Sequence, residues 1–136
     1  MVIDTMIFVY ALLDEPTFGA DSGAVLKAAS PILVPDSFRA EFVNTLWQWV
    51  RHRGVEYGDA RAALRDAEHL IARTGSSRRL ARRALELAIQ VGHPAYDTLF
   101  VALAEREGTQ LITYDAKLLA AFPKIAMAPA EFLASP

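Results

Sequence analysis

Four acidic residues occupy positions from which their carboxylates could converge. They are Asp4, Glu41, Asp97 and Asp115. Asp4 and Asp115 each follow a short apolar run of the kind that forms a buried strand. Glu41 and Asp97 each lie near the first turn of a predicted helix, where the helix dipole favours negative charge. Since parallel strands end at a common sheet edge, where α/β proteins bind ligands, this placement predicts an acidic site there.

The chemistry available to such a site follows from electrostatic repulsion. Two carboxylates about 5 Å apart repel by roughly 3 kcal/mol at an effective dielectric of 20. Several such pairs approach the whole stability of a domain, roughly 5–15 kcal/mol, so the acids must be protonated, paired with cations or bound to metal. Oxygen ligands suit Mg²⁺ or Mn²⁺, which can activate water against a phosphodiester. The alternative is that each acid is a helix cap or a surface charge.

The segment 93–118 predicts the elements that position two of these acids. Pro94 suits a first helical position, and Gly108 suits the left-handed end of a helix. Apolar residues recur at helical spacing between them, and a short strand follows at 111–113. Folding the helix back on the strand brings Asp97 and Asp115 to one edge.

The remaining chain predicts an alternation of strands and helices. Strands are expected at 2–3, 32–34, 111–113 and 125–127, and helices at about 5–13, 22–29, 37–53, 57–73, 78–91, 94–107 and 129–133, with a further helix starting after Asp115. A turn is expected at 74–77 between the two helices that flank it. Such alternation favours an α/β fold with three layers, α/β/α, and a short, mostly parallel central sheet. We expect residues 1–136 to form a single domain.

Composition excludes several classes of protein. The chain has 136 residues, 53% of them hydrophobic, which argues against disorder. The absence of cysteine excludes disulfides and thiolate metal sites. With no apolar run of about 18 residues we expect no membrane span and a cytoplasmic protein. The net charge of −2 leaves only local basic patches to contact nucleic acid.

Three stretches of this sequence resemble a known family. They are VIDTMIFVYALL, FRAEFVNTLW and HPAYDTLFVALAEREGTQLITYDAKL. Together they are similar to a PIN domain, and most of all to the VapC-like toxin ribonucleases of toxin–antitoxin pairs. The resemblance covers essentially the whole chain, so it implies a single PIN-like nuclease domain that hydrolyses RNA with a divalent metal.

The resemblance also implies a role for each acid. Asp4, Asp97 and Asp115 match the family's metal-binding positions and would hold Mg²⁺ or Mn²⁺. Glu41 matches the remaining acidic position and would complete the catalytic site. The reaction implied is attack of water on the phosphodiester in line, leaving a 3′-hydroxyl and a 5′-phosphate.

Two threonines and a methionine near these acids bear on the resemblance. Thr5 and Thr113 match positions that support the acids in the family. Met6 departs from it, since Asn or Ser is common there, and loss of a polar contact beside a ligand weakens metal binding. The alternative is therefore a catalytically weakened PIN fold that binds RNA or protein. A phosphoacceptor domain fits less well, because such domains pair acids after the first strand.

Other polar residues yield weaker predictions. Arg79, Arg82 and Arg83 share one helix face. They are candidates to bind RNA phosphates. The alternative is that they form a solvent-exposed basic face that pairs with nearby acids. The histidines, at 52, 69 and 93, show no HExxH-type spacing, so we predict no histidine metal site and interpret His93 as a helix-start residue. No GxSxG or P-loop motif is present.

The resemblance and the apolar faces together predict partners. Besides the RNA substrate, VapC-like toxins have a cognate antitoxin, which we expect to insert an arginine among the carboxylates and a helix into a groove. We also expect a homodimer, because Trp47 and the helix carrying Phe8 and Tyr10 offer more apolar surface than a small domain easily covers.

Overall fold

Short apolar segments form a five-stranded sheet in the computed structural model, which describes residues 1–136. The strands are β1 Val2–Ile3, β2 Ile32–Pro35, β3 Ile71–Gly75, β4 Leu111–Ile112 and β5 Ala126–Met127. The helices are α1 Thr5–Leu12, α2 Gly19–Ala28, α3 Phe38–Arg53, α4 Tyr57–Leu70, α5 Ser77–Val91, α6 Ala95–Arg106, α7 Ala116–Ala121 and α8 Pro129–Ala134. The strand order is β3-β2-β1-β4-β5, and every pairing is parallel.

The first strand occupies the centre of this sheet. Val2 pairs with Leu33 of β2 on one side, and Ile3 pairs with Ile112 of β4 on the other. Both residues of β1 are fully buried, as continuous apolar strands are when helices cover both faces of a parallel sheet. Because β1 and β4 run in register, the residues that follow them lie at the same edge.

Two helical layers enclose the sheet. Helix α6 packs against β1, β2 and β4, and α5 packs against α6. The other layer includes α1, which packs against α2, α3 and α4. This confirms the predicted three-layer α/β/α fold, with a sheet that is entirely parallel. None of the helices combines the length and apolar character that crossing a membrane would require.

The core between α1 and α3 contains a cluster of phenylalanines. The ring of Phe8 lies 4.7 Å from that of Phe38, and Phe38 stacks on Phe42 at 5.1 Å. Phe8 is fully buried within the chain, so our expectation that it contributes to a dimer surface is wrong. Only Trp47 of that predicted surface, 59% exposed, is strongly exposed.

The main difference from the sequence prediction is strand β3. We predicted a helix to residue 73 and a turn at 74–77, whereas α4 ends at Leu70 and Ile71–Gly75 forms an edge strand. Between residues 59 and 73 no Gly or Pro marks a helix end. Pairing with β2 decides the conformation here, with Ile71 opposite Ile32, and local sequence does not reveal that partner.

Candidate active site

The hydroxyl of Thr113 joins the residues that follow β1 and β4. Its Oγ1 donates to Asp4 Oδ2 at 2.6 Å and accepts the backbone N–H of Asp115 at 3.0 Å. Thr113 is fully buried, so its hydroxyl is shielded from solvent. The two strand-end acids predicted from sequence therefore lie at one edge, and Thr113 connects them.

Helix α7 fixes the carboxylate of Asp115. Asp115 is the N-cap residue, and its Oδ1 accepts the backbone N–H groups of Lys117 at 2.9 Å and Leu118 at 3.1 Å. These bonds satisfy free donors of the first helical turn. Oδ2, the other carboxylate oxygen, lies 3.7 Å from Nε2 of His93.

His93 enters the site together with Asp97, a contact that our sequence interpretation missed. Its Nε2 lies 2.7 Å from Asp97 Oδ2, and only 8% of its side chain is exposed. His93, Asp97 and Asp115 each offer a ligand atom, and these three atoms lie within 4.8 Å of one another. His93 lies just before α6, as its interpretation as a helix-start residue predicts, and it contacts Asp97 as well. The four-residue spacing from His93 to Asp97 is the signal in the sequence, and motifs with two histidines, such as HExxH, do not capture it.

Asp4 carries the strongest electrostatic perturbation in the site. Burial, and to a smaller extent the charges of Glu41 and Asp97, raise the pKa of its carboxyl from 3.8 to about 7. The Thr113 hydrogen bond opposes this rise because it stabilises the ionised form. Asp4 as a whole residue is only partly buried, whereas its carboxyl group is surrounded by protein.

Glu41 faces the same cluster from the first turn of α3. It is half-buried, and burial followed by the charge of Asp97 raises the pKa of its carboxyl. The Thr5 hydroxyl lies close enough to lower that pKa in part. Yet Thr5 Oγ1 is buried without a hydrogen bond of ordinary length and angle, so the contact is a weak one. Thr5 thus leaves an unsatisfied oxygen beside two acids.

The chain supplies no lysine or arginine to neutralise these acids. Asp4 and Glu41 take part in no ion pair, and His93 is the only basic side chain within 4 Å of the carboxylates of Asp97 and Asp115. Clustered carboxylates beside a buried hydroxyl without a partner fit a hard divalent cation such as Mg²⁺ or Mn²⁺. Asp4 and Glu41 couple electrostatically to Asp97 but are not members of the 4.8 Å group.

The arginines predicted to bind RNA differ in their surroundings. Arg83 bonds to Glu105 at 3.0 Å and to Glu86 at 3.1 Å, which is the surface ion pairing we considered as the alternative. Arg79 and Arg82 form no ion pair and are exposed. Of the three predicted arginines, only Arg79 and Arg82 can contact a phosphate without breaking an ion pair.

Comparison with known proteins decides the family. The PIN domain profile matches residues 1–125, with the site residues all inside the matched region. This chain belongs to the PIN-domain family. PIN domains are generally nucleases, so the acidic edge of this PIN domain is the place to look for hydrolytic chemistry. No curated protein matches the chain at a significant level.

Solved structures share the fold of this PIN domain. PAE2754 from Pyrobaculum aerophilum superposes with a TM-score of 0.77 at 20% identity, over 97% of this chain and 90% of that one. A toxin–antitoxin complex from Klebsiella pneumoniae superposes with a TM-score of 0.68 at 18% identity, over 94% and 96%. At these identities the likeness concerns the fold alone. The predicted family and fold are confirmed, while the roles of the site residues remain predictions.

Proposed function

We propose that this PIN domain is a metal-dependent endoribonuclease. The supporting observation is the convergence of His93, Asp97 and Asp115 within 4.8 Å, beside Asp4 and Glu41, with no lysine or arginine among them. A structural role alone gives no reason to hold several acids together without cations, because their repulsion destabilises the fold. A catalytic role explains why these carboxylates lie together without cations, whereas a role in stability does not.

The residues would divide the work of phosphodiester hydrolysis. Asp4, Asp97 and Asp115 would hold Mg²⁺ or Mn²⁺, with Glu41 completing the site. Bound there, the ion would supply electrostatic stabilisation of the phosphate and a more acidic water. Glu41, whose pKa is raised, is suited to accept the proton of the attacking water. The new P–O bond forms as the P–O3′ bond breaks, and the departing O3′ takes a proton from solvent water, which leaves a 5′-phosphate and a 3′-hydroxyl.

We propose that arginines without an ion-pair partner contact the RNA backbone outside the acidic edge. Arg79 and Arg106 line an open pocket of about 250 Å³ beside Arg83, and neither forms an ion pair. Arginine pairs with phosphate through two parallel hydrogen bonds, which suits an RNA backbone. Arg79 and Arg82 remain the proposed RNA-binding residues, whereas Arg83 would first have to leave Glu105.

The direct test is RNA cleavage by the purified wild-type chain with Mn²⁺, with Mg²⁺ and with EDTA. We expect cleavage of single-stranded RNA with either ion, none in EDTA, and recovery when Mn²⁺ is returned. Products should carry a 5′-phosphate. Cleavage that persists unchanged in EDTA contradicts the proposal. Binding of Mn²⁺ without cleavage favours the weakened binding module, which Met6 supports because it places no polar atom beside Asp4.

We further propose that the chain is the toxin of a toxin–antitoxin pair. An apolar groove of about 250 Å³ between α3 and α4 offers a surface for an antitoxin helix. Its exposed side chains include Val43, Trp47 and Tyr57, which are 49%, 59% and 69% exposed. An arginine on the same partner would pair with the carboxylates that lack cations here. The likeness to the Klebsiella pneumoniae toxin–antitoxin complex supports this proposal.

Co-expression with the protein encoded beside this gene tests that partnership. We expect a complex without RNase activity, which Trp47→Ser weakens at least tenfold because the side chain is a large apolar anchor. The free variant should cleave RNA like the wild type. Leu133→Ser, at an exposed apolar residue outside the groove, is the matched control. A neighbour that binds at full affinity while cleavage continues contradicts inhibition at the active site.

We also propose a homodimer, formed through a surface other than the one expected around Trp47. Leu85 and Ile89 lie one turn apart on α5 and are 56% and 75% exposed, and Tyr96 at the start of α6 is 73% exposed. Large exposed apolar side chains of this kind mark association surfaces. A dimer through these residues leaves the groove beside Trp47 open to the antitoxin.

A further inference from the structure

His93 is the one nitrogen donor at an edge otherwise made of oxygens. We propose that His93 is a direct ligand of the divalent metal, which makes this a mixed nitrogen–oxygen site that binds Mn²⁺ in preference to Mg²⁺. The inference rests on the proposed metal-dependent function and extends it to the choice of ion. It assigns a ligand that the acidic residues alone do not predict.

The positions of the atoms support a shared ion. His93 Nε2 lies 2.7 Å from Asp97 Oδ2 and 3.7 Å from Asp115 Oδ2. Metal–ligand bonds of about 2.0–2.2 Å allow two ligands of one ion to lie at most about 4.4 Å apart. Both distances fall inside that limit, and the ligand oxygens of Asp97 and Asp115 lie within 4.8 Å of each other, which is close to it.

The surroundings of each donor atom also favour coordination. Asp115 Oδ1 is occupied by two backbone N–H groups, so the oxygen left for a metal is the one that faces His93. The imidazole of His93 is almost fully buried, which holds Nε2 at this position. His52 and His69 are exposed and contact no acid, so His93 differs from the other histidines of the chain.

An imidazole ligand changes which metal the site prefers. Mg²⁺ binds oxygen ligands almost exclusively, while transition ions also accept imidazole nitrogen. Removal of His93 should therefore weaken Mn²⁺ binding more than Mg²⁺ binding. A histidine that only oriented Asp97 through a hydrogen bond would affect both ions alike, which separates a ligand from a positioning residue.

Pulsed EPR of bound Mn²⁺ gives the decisive readout, because it detects an imidazole nitrogen coordinated to the ion without any need for RNA cleavage. We expect ¹⁴N coupling in the wild type, its loss in His93→Ala and His93→Gln, and its retention in His69→Ala. Calorimetric titration should show Mn²⁺ affinity about tenfold or more lower in His93→Ala, with Mg²⁺ affinity changed by less than about threefold. His93→Gln preserves a hydrogen bond to Asp97, so it controls for misplacement of that carboxylate.

Other results would overturn the inference. Bound Mn²⁺ without nitrogen coupling in the wild type excludes His93 as a ligand, as does equal weakening of both ions in His93→Ala. These outcomes leave the proposed RNase function intact if wild-type cleavage still depends on metal. Failure of the wild type to bind Mn²⁺ at all overturns both proposals. Thermal melts of each variant in EDTA establish that the variants compared are folded.

Discussion

Replacing Asp97 with Asn is expected to reduce Mn²⁺-supported RNA cleavage by at least about 100-fold. Groups that merely orient a metal ligand typically contribute about 10–100-fold, so loss of a ligand should cost no less. Asp97 contacts His93 directly, and its charge raises the pKa of both Asp4 and Glu41. It is therefore the acid most widely coupled to the rest of the site.

Stability measurements distinguish a lost ligand from a damaged fold. Without metal, Asp97→Asn should be at least as stable as the wild type, since one negative charge leaves the cluster. Metal that binds only the native state adds about 2.7 kcal/mol at a hundredfold excess over Kd, or a rise in Tm of roughly 10 °C. The wild type should show this rise with Mn²⁺, and Asp97→Asn should lose most of it.

Asp14→Asn provides the control for the Asp97 experiment. Asp14 is exposed, takes part in no ion pair and has a φ of 50°, a conformation that Asn tolerates well. It should retain both cleavage and the Mn²⁺-induced rise in Tm. Wild-type rates of cleavage in Asp97→Asn would contradict the assigned site, and so would identical wild-type melting temperatures with Mn²⁺ and EDTA.

Replacing Asp4 with Asn is expected to stabilise the metal-free chain, by an amount that grows with pH. In the folded chain the carboxyl of Asp4 has its pKa raised from 3.8 to about 7. Between those values the folded state holds a proton that the unfolded state has released, so wild-type stability falls as pH rises. Above pH 7 the full penalty of a buried, ionised carboxylate applies.

The size of this effect follows from the same linkage. At about 1.4 kcal/mol per pH unit, a pKa rise from 3.8 to about 7 corresponds to roughly 4 kcal/mol. Asn cannot ionise and keeps an oxygen that can accept the Thr113 hydroxyl. The stability gained by Asp4→Asn should thus be close to zero near pH 4 and largest at pH 8.

Urea denaturation in EDTA at pH 5 and pH 8 measures this difference. Asp14→Asn, at an exposed acid, is the matched control substitution. If Asp4→Asn increases the free energy of unfolding by the same amount at both pH values, Asp4 is ionised throughout the range. The prediction that burial keeps the carboxyl of Asp4 protonated below pH 7 would then be wrong.

Local sequence determined most of the architecture of this protein. Apolar runs such as Val2–Ile3 and Leu111–Ile112 predict strands, and Gly108 predicts a helix end, because these features depend on neighbours in the chain. Their alternation with amphipathic helices is enough to predict a parallel sheet between helical layers. The same reasoning placed Asp4 and Asp115 at one edge, since parallel strands end together.

Only the tertiary structure decided which groups meet across that edge. Strand β3 exists because β2 offers it a partner, although the helical pattern continues to residue 73. Phe8 lies in the core because α3 covers it, and His93 belongs to the site because α6 and α7 bring Asp97 and Asp115 to its ring. The raised pKa of Asp4 likewise comes from burial by distant segments. Periodicity reports the faces of single elements, whereas contacts between side chains and desolvation arise only when those elements pack.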